Sequence, residues 1–313
     1  MTSGRRLLVL GGGGATGAYQ VGQLLALLEA GVVPDAVLGC SVGSLNAAYL
    51  AAAPSVEQVR QLADWWLQGH GQQVLVPSRW GRVRGAAHGL AAGRGGVLDA
   101  RPLRGLVADR VGVDRAEDLA VPLTVTTTCL DCAEARHHDR GPLADLLLAS
   151  CALPGLLPPV RLPDGHRHVD GGVVCGVPLE AALAVAGPHD EVLVLDCGLA
   201  PVSGAPGSCA AFAEPVDCCA LGPARTAWRP LVEDPAGPVS VALRAFTVAR
   251  AVANRASLAP LLGDARVRVL PHIADAWAVG LLRELPVGPR DFRATRGLLA
   301  SGHRVAVRWL ATV

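Results

Sequence analysis

The segment Gly39-Cys40-Ser41-Val42-Gly43 sets a serine between two glycines, after the apolar run Ala36-Val37-Leu38 and before an alanine-rich stretch from Ser44 to Ala53. A serine on a sharp strand-to-helix turn has its hydroxyl pushed clear of the sheet, and glycines flank it because a Cβ would clash in so tight a bend. The helix that follows points its positive N-terminal end at that hydroxyl. The pattern is that of an exposed nucleophile; read alone, it is equally a small-residue turn that contains a serine. Upstream, Gly11 to Gly14 and Gly17 form the spacing Gly12-x-Gly14-x-x-Gly17 between a strand and a helix. Dinucleotide-binding turns share that spacing, but their second strand ends in an acid that holds a ribose hydroxyl. Here the second strand ends in Gly39-Cys40-Ser41, and the nearest acid, Asp35, precedes it. Four successive glycines instead suit a nest of backbone N–H groups that would stabilise the oxyanion of an acyl-transfer intermediate. A glycine turn serving helix packing alone is the alternative.

A nucleophilic serine needs a base. His189, His272 and His303 follow Ser41, yet none sits in a glycine-rich or otherwise marked loop. An α/β-hydrolase would also place several strands before its nucleophile, and here only one precedes the Ser41 strand. Asp170-Gly171-Gly172 is the better candidate. It closes a hairpin strand, its glycines allow close approach of another group, and a positioned, partly desolvated aspartate can act as a general base; an ordinary turn aspartate is the competing reading. His166 and His168 alternate with Asp170 and so share its face, which reads as a solvated hairpin face before it reads as a metal site. Of nine cysteines, Cys129 and Cys132 form a C-x-x-C and Cys218-Cys219 an adjacent pair. A zinc site would want a second, properly spaced pair, so no metal is expected.

The elements that must position these groups follow from periodicity. Leu7 to Leu10 reads as a buried parallel strand, then a helix runs from about Ala15 to Ala30, stopped by Gly31. The Ser41 strand and its helix follow, ended by Pro54, and Ser55 with Gln58 makes a capping box for a helix through Trp65-Trp66. The opening is therefore β-α-β-α, a parallel sheet with crossover helices, and its first two strands should be neighbours that bring the glycine nest and Ser41 to one end of the sheet. Further along, Pro122 to Cys129 and Glu191 to Cys197 read as strands, Pro142 to Ala152 as a helix, and Val160 to Asp170 as a hairpin turning at Asp164-Gly165. Val239 to Leu258 reads as helical, Arg266 to Leu270 as a late strand and Arg290 to Leu310 as a closing helix. Residues 69–100 read as a Gly- and Arg-rich surface excursion, and 200–238 as a loop or insertion.

Composition narrows the function. The chain has 313 residues, is 51% hydrophobic and carries a net charge of +1. That is enough for a large core and leaves no nucleic-acid footprint. All 28 basic residues are arginine, so a P-loop lysine or a Schiff-base lysine is excluded. No secretory signal and no run of about eighteen apolar residues stands out, so the expectation is a soluble, cytoplasmic protein folded as one domain over residues 1–313.

Taken together, Gly12-Gly13-Gly14-Ala15-Thr16-Gly17, then Gly39 to Gly43, then Asp170-Gly171-Gly172 resemble the patatin-like phospholipases, acyl hydrolases with a Ser–Asp dyad. Ala149-Ser150-Cys151-Ala152-Leu153-Pro154 with Leu157-Pro158-Pro159-Val160 resembles that family's block before its hairpin, Gly96-Val97-Leu98-Asp99 with Pro102-Leu103 its middle segment, and Asp291-Phe292 through Gly302 its closing helix. The resemblance covers nearly the whole chain. It implies a three-layer α/β/α sandwich with a mostly parallel sheet, Ser41 as nucleophile, Asp170 as base, the Gly12, Gly13 and Gly14 amides as oxyanion hole, and Gly17, Gly39, Gly43, Gly171 and Gly172 as supporting positions. It implies a lipid or acyl-ester substrate and no cofactor. An acyltransferase or thioesterase with the same acyl-serine, or a lipid-binding protein on this scaffold, are the other readings. Two positions depart from the family pattern. Thr16 stands where Arg or Lys is usual, and Gly176 precedes Pro178 where Asn is frequent. Trp65, Trp66 and Trp80 with Arg79, Arg82 and Arg84 suit a peripheral lipid interface, or else a core Trp pair beside a solvated basic loop.

Overall fold

Leu7, Leu8, Val9 and Leu10 are fully buried, and their side chains alternate between two apolar layers. Leu8 and Leu10 point into one core, Leu7 and Val9 into the other. A strand that is apolar at every position needs cover on both faces, and this alternation is what makes the molecule three-layered. The structure is a computed structural model, and it describes residues 4–69, 103–105, 107, 111–198, 245, 249–250, 252–278 and 292–312. The expectations for residues 70–100, including Trp80, Arg79, Arg82, Arg84 and the Gly96 to Asp99 segment, and for residues 200–238, lie outside that set.

The strands are β1 (Arg6–Leu10), β2 (Ala36–Cys40), β3 (Leu123–Cys129), β4 (Glu134–His138), β5 (Val160–Arg161), β6 (Arg167–Asp170), β7 (Glu191–Leu195) and β8 (Val267–Val269). They form one sheet in the order β5-β6-β3-β2-β1-β7-β8, with β4 also paired to β3. Pairs β3-β2, β2-β1, β1-β7 and β7-β8 are parallel; β4, β5 and β6 enter antiparallel. Helices α1 (Gly17–Glu29), α2 (Val42–Ala52), α3 (Val56–Leu67) and α4 (Leu143–Ser150) cover one face, joined by the closing helix α7 (Thr295–Leu310). The opposite face carries α5 (Leu179–Val185) and Leu258 from a helical stretch over 252–258. A short α6 (Ile273–Ala278) precedes α7. No described helix is long and apolar enough to cross a membrane.

Local signals place most boundaries. Gly31 takes φ +76 just past α1, where only glycine avoids the Cβ penalty. Ser55 caps α3 by accepting from the Gln58 amide at 3.2 Å. The expected capping box is only half made, because the Gln58 side chain donates to the Tyr49 carbonyl instead. The closing helix begins at Thr295 rather than Arg290. It lies directly on α1: a Cβ at Gly22 would strike the Leu299 carbonyl and one at Gly302 the Tyr19 carbonyl. Strand β4 and helix α5 have no counterpart in the sequence reading.

Pairing around β3 explains where chemistry can arise. Val125 and Thr126 face β2 on one edge and β4 on the other, while Thr127, Thr128 and Cys129 face β4 and β6. Since a strand has two edges, β6 must continue on the edge that β2 vacates. Strand β2 ends at Cys40 opposite Thr126, and the antiparallel β6 ends at Asp170 opposite Thr127. The two strands meet end to end, and the residues leaving them, Ser41 and Asp170, are forced together.

Candidate active site

Ser41 follows β2 directly and adopts φ 53, ψ −129. For a residue with a Cβ this conformation costs roughly 1–3 kcal/mol, and it persists only where the surroundings over-determine it. Here they do. A Cβ at Gly39 would sit 2.6 Å from the Ser44 Cα, and one at Gly43 would collide with the Leu10 carbonyl oxygen, so both glycines are needed for the bend. The Ser41 amide donates to Ser150 Oγ at 2.8 Å, and Ser150 Oγ donates to the Thr126 carbonyl at 2.7 Å, which ties the bend to α4 and β3. Helix α2 starts at the next residue, its positive end toward the serine.

Ser41 Oγ donates to Asp170 Oδ2 at 2.6 Å across 129 residues of chain. Asp170 is fully buried, and its other oxygen accepts from the Gly172 amide at 2.7 Å. Burial pushes this carboxyl above the usual carboxylate range; the Arg250 guanidinium, the Ser41 hydroxyl and the Gly172 amide each pull it back without cancelling the rise. An aspartate so placed is a stronger base than one in water, and it accepts the hydrogen bond of the Ser41 hydroxyl. Gly171 lets β6 turn under β3, since a Cβ there would lie 2.5 Å from the Thr126 carbonyl oxygen.

The glycine turn lies beside Ser41 as its spacing predicts, with one correction. The Gly12 amide donates to the Gly176 carbonyl at 2.9 Å and is therefore engaged. Gly12 serves close approach instead: a Cβ on it would lie 3.1 Å from Ser41 Cβ. Among the described residues the Gly13 and Gly14 amides have no such backbone acceptor. Gly14 takes φ +66 and lines the same cavity as Ser41. Gly17 opens α1 against Val42 and Trp66. Thr16 is buried, its hydroxyl within hydrogen-bonding distance of the Gly13 and Cys197 carbonyls, so it fastens the turn to the segment just after β7 and does not face the site.

A positive charge is nonetheless present. Arg250 Nη1 lies 3.7 Å from where a Gly12 Cβ would be and 2.8 Å from where a Gly172 Cβ would be, the latter point being 2.9 Å from Asp170 Oδ1. The guanidinium thus spans the gap between the glycine turn beside Ser41 and the Gly171-Gly172 turn that follows Asp170. Beside Ser41 opens an apolar cavity of about 80 Å³ whose walls include Leu45, Tyr49, Leu62, Trp66, Leu147 and Phe292. Asn46 in the wall donates to Gln20 Oε1 at 2.9 Å and accepts from Trp66 Nε1 at 3.2 Å, so its polar atoms are tied off.

The family model described as Patatin-like phospholipase matches residues 8–183. The chain belongs to the patatin-like phospholipase family. It is 36% identical over 174 residues to the Patatin-like phospholipase domain-containing protein ZK370.4 of Caenorhabditis elegans, covering 55% of this chain and 12% of that protein. It is 33% identical over 199 residues to the Patatin-like phospholipase domain-containing protein 6 of Homo sapiens, covering 63% and 14%. It is 30% identical over 192 residues to Neuropathy target esterase sws of Drosophila melanogaster, covering 61% and 13%. The match thus occupies a small part, 12–14%, of each of these relatives. The solved structure of VipD from Legionella pneumophila aligns with a TM-score of 0.48 at 12% identity, covering 100% of this chain and 67% of that one.

The tryptophan pair and the hairpin histidine also find their places in the structure. Trp65 and Trp66 are 9% and 3% exposed and meet edge to face at 5.8 Å, so of the two sequence readings they take the core pair, and they wall the cavity. His168 is not on a solvated face. It is fully buried, with Nδ1 2.9 Å from Thr127 Oγ1 and Nε2 3.0 Å from Asp164 Oδ2, because β6 pairs with β3 and not only with β5. His272 is also buried, Nε2 2.9 Å from the Gly198 carbonyl, and His303 pairs with Glu29 at 2.7 Å; neither contacts Ser41. The residue that sequence reasoning missed is Arg250. It is one of three arginines, with Arg244 and Arg255, in an amphipathic-looking run, and nothing local sets it apart.

Proposed function

We propose that this patatin-like chain is a lipid acyl hydrolase that works through an acyl-serine on a Ser41–Asp170 dyad. The observation that carries the reading is the 2.6 Å bond from Ser41 Oγ to the buried Asp170 carboxylate at the wall of an apolar cavity. Ser41 Oγ attacks the ester carbonyl carbon while its proton passes to Asp170 Oδ2. The carbonyl oxygen becomes an oxyanion, met by the Gly13 and Gly14 amides and by the fixed dipole of α2. Arg250 adds a guanidinium at the same spot and serves as the charge that Thr16 does not supply. Collapse breaks the ester C–O bond, and the leaving alcohol takes the proton from Asp170. Water then attacks the acyl-serine with Asp170 as its base, releasing the carboxylic acid and restoring the Ser41 hydroxyl. The acyl chain rests in the cavity lined by Leu45, Leu62, Trp66 and Phe292.

The relatives' names, phospholipase domain-containing proteins and an esterase, support an ester of a lipid as the substrate class. A fluorophosphonate probe tests the nucleophile: Ser41 should be the labelled residue by peptide mass spectrometry, and Ser41→Ala should abolish labelling. Labelling elsewhere, or none in a protein that binds vesicles, would replace catalysis by lipid binding on this scaffold. Turnover of a phospholipid with and without an added alcohol acceptor separates hydrolysis, which yields free fatty acid, from acyl transfer, which yields a new ester.

A further inference from the structure

At the other end of the β3–β6 pairing a second group of chemically active side chains gathers. Cys129 ends β3, Cys132 lies in the turn to β4, and His166 leads into β6. Ligand atoms of the three all lie within 4.8 Å of one another. His166 Nδ1 is 3.4 Å from Cys129 Sγ and 3.1 Å from Cys132 Sγ. Two sulfurs at about 2.3 Å and a nitrogen at about 2.05 Å from one tetrahedral ion stand about 3.6 Å apart across each S···N edge. The observed separations are a few tenths of an ångström shorter than that, without any rearrangement of the backbone.

The backbone around these residues is organised to hold them. The Cys132 amide donates to Cys129 Sγ at 3.3 Å, and the Ala133 amide to the Cys129 carbonyl at 3.0 Å. Ala133 takes φ 59, one of only two non-glycine residues with positive φ among those described, the other being Ser41. Such an outlier marks a turn that its surroundings impose. The turn is latched to β6 as well: Asp131 accepts from the Arg167 amide at 2.7 Å and from its guanidinium at 2.6 Å, and the Leu130 amide donates to the Arg167 carbonyl at 2.8 Å. None of these groups touches Ser41 or Asp170, and the acyl-serine chemistry uses none of them.

We propose that Cys129, Cys132 and His166 form a binding site for a soft divalent cation, Zn²⁺ by its donor set. Two thiolates and an imidazole select zinc and disfavour magnesium or calcium, which take oxygen ligands. Binding displaces the two thiol protons to solvent, forms two Zn–S bonds and one Zn–N bond, and leaves the fourth tetrahedral position to water. The role is positional. The ion joins the β3–β4 turn to the start of β6, and the register from there runs Cys129 with His168, Thr128 with Val169, Thr127 with Asp170. It therefore clamps the pairing that delivers Asp170 to Ser41. The sequence rule that asked for a second cysteine pair misses the site because the remaining ligand comes from a hairpin 34 residues away.

The test uses the full chain, purified reduced, loaded with Zn²⁺ and desalted. Elemental analysis should find about one zinc per chain, and Cys132→Ser and His166→Ala should each lower zinc retention by about tenfold or more. Cys175→Ser, outside the cluster, should keep it. Far-UV circular dichroism checks that the variants fold. Should they not, the wild type decides: Zn²⁺ should protect Cys132 from iodoacetamide, read peptide by peptide by mass spectrometry, and a chelator should restore labelling and lower the melting temperature. Zinc retention equal in wild type and both variants, absence of protection at Cys132, or a Cys129–Cys132 disulfide in the zinc-loaded protein would overturn the proposal.

Discussion

The two edges of the parallel sheet are built on opposite principles. At the amino ends of the strands, carboxylates are paired with arginines whose own side chains reach solvent, although Asp190 itself is only 9% exposed. Asp190 accepts from the Arg5 amide at 2.8 Å and from its guanidinium at 2.7 Å, Asp35 accepts from the Arg6 amide at 2.7 Å, and Glu191 pairs with Arg268 at 2.8 Å. The Gly187 and Arg5 amides and the Arg5 guanidinium hold the Asp190 carboxyl at about 2. At the carboxyl ends the carboxylates are buried. Asp170 is fully enclosed, its acidity weakened by burial, and Asp196 keeps one oxygen buried with no hydrogen bond among the described residues, the nearest His272 nitrogen being 3.8 Å away. The backbone follows the same division, with Ser41 strained at the carboxyl end of β2. One edge fastens the sheet; the other concentrates desolvated charge and strain where the loops and helix N-termini converge.

That contrast can be broken by substitution. The largest effect belongs to Ser41→Ala, which should lower turnover of a p-nitrophenyl ester by at least about 10⁴-fold, with no acyl-enzyme trapped on rapid quenching. Asp170→Asn should follow, with kcat down roughly 10³-fold. Its stability should move the other way. A carboxyl whose folded pKa is raised favours the folded state most below its ordinary pKa, and that contribution is lost as pH rises through the folded value. At pH 7 wild type therefore carries a charge-burial penalty that asparagine avoids, and Asp170→Asn should unfold at an equal or higher urea midpoint. A marked fall in midpoint would place Asp170 with the fastening carboxylates of the other edge.

Arg250→Gln should cost roughly 10- to 100-fold in kcat/KM. Because the guanidinium lowers the Asp170 pKa, its removal should shift the acid limb of the pH profile to higher pH; an unshifted limb would mean that the charge acts elsewhere. The smallest effect on catalysis belongs to Asp190→Asn, which should leave ester turnover unchanged and lower the urea midpoint at pH 7. A depressed carboxylate contributes stability above its ordinary pKa of 3.8 and loses it as pH falls through about 2. The gap between wild type and Asp190→Asn should therefore close across that window.

Much of the first half of the fold was legible. Strand β1, helix α1, strand β2 and helix α2 follow from an apolar run, a glycine turn, Gly31 and Pro54, all signals that act within a few residues. Strand β4 escaped because Glu134 to His138 is exposed or half-buried and carries charge and imidazoles in place of an apolar alternation. His168 was misplaced because burial on a hairpin depends on which strand pairs with it. The Ser55-Gln58 spacing predicts a reciprocal cap, but the Gln58 side chain donates to the Tyr49 carbonyl, a competition that only packing settles.

The sequence by itself determined that Ser41 sits in a turn only small neighbours allow, that a glycine turn and Asp170 have the types suited to serve it, and that no lysine chemistry operates. Such features are local, since a bend, a cap and a residue's chemistry depend on the chain within a turn or two. Only the tertiary structure decided that β2 and β6 meet end to end along β3, that Gly12 is engaged while the Gly13 and Gly14 amides have no backbone acceptor among the described residues, and that Arg250 lies between the Gly12 and Gly172 turns. Each of these depends on groups brought together from distant parts of the chain, where strand pairing and desolvation leave no periodic mark in the sequence.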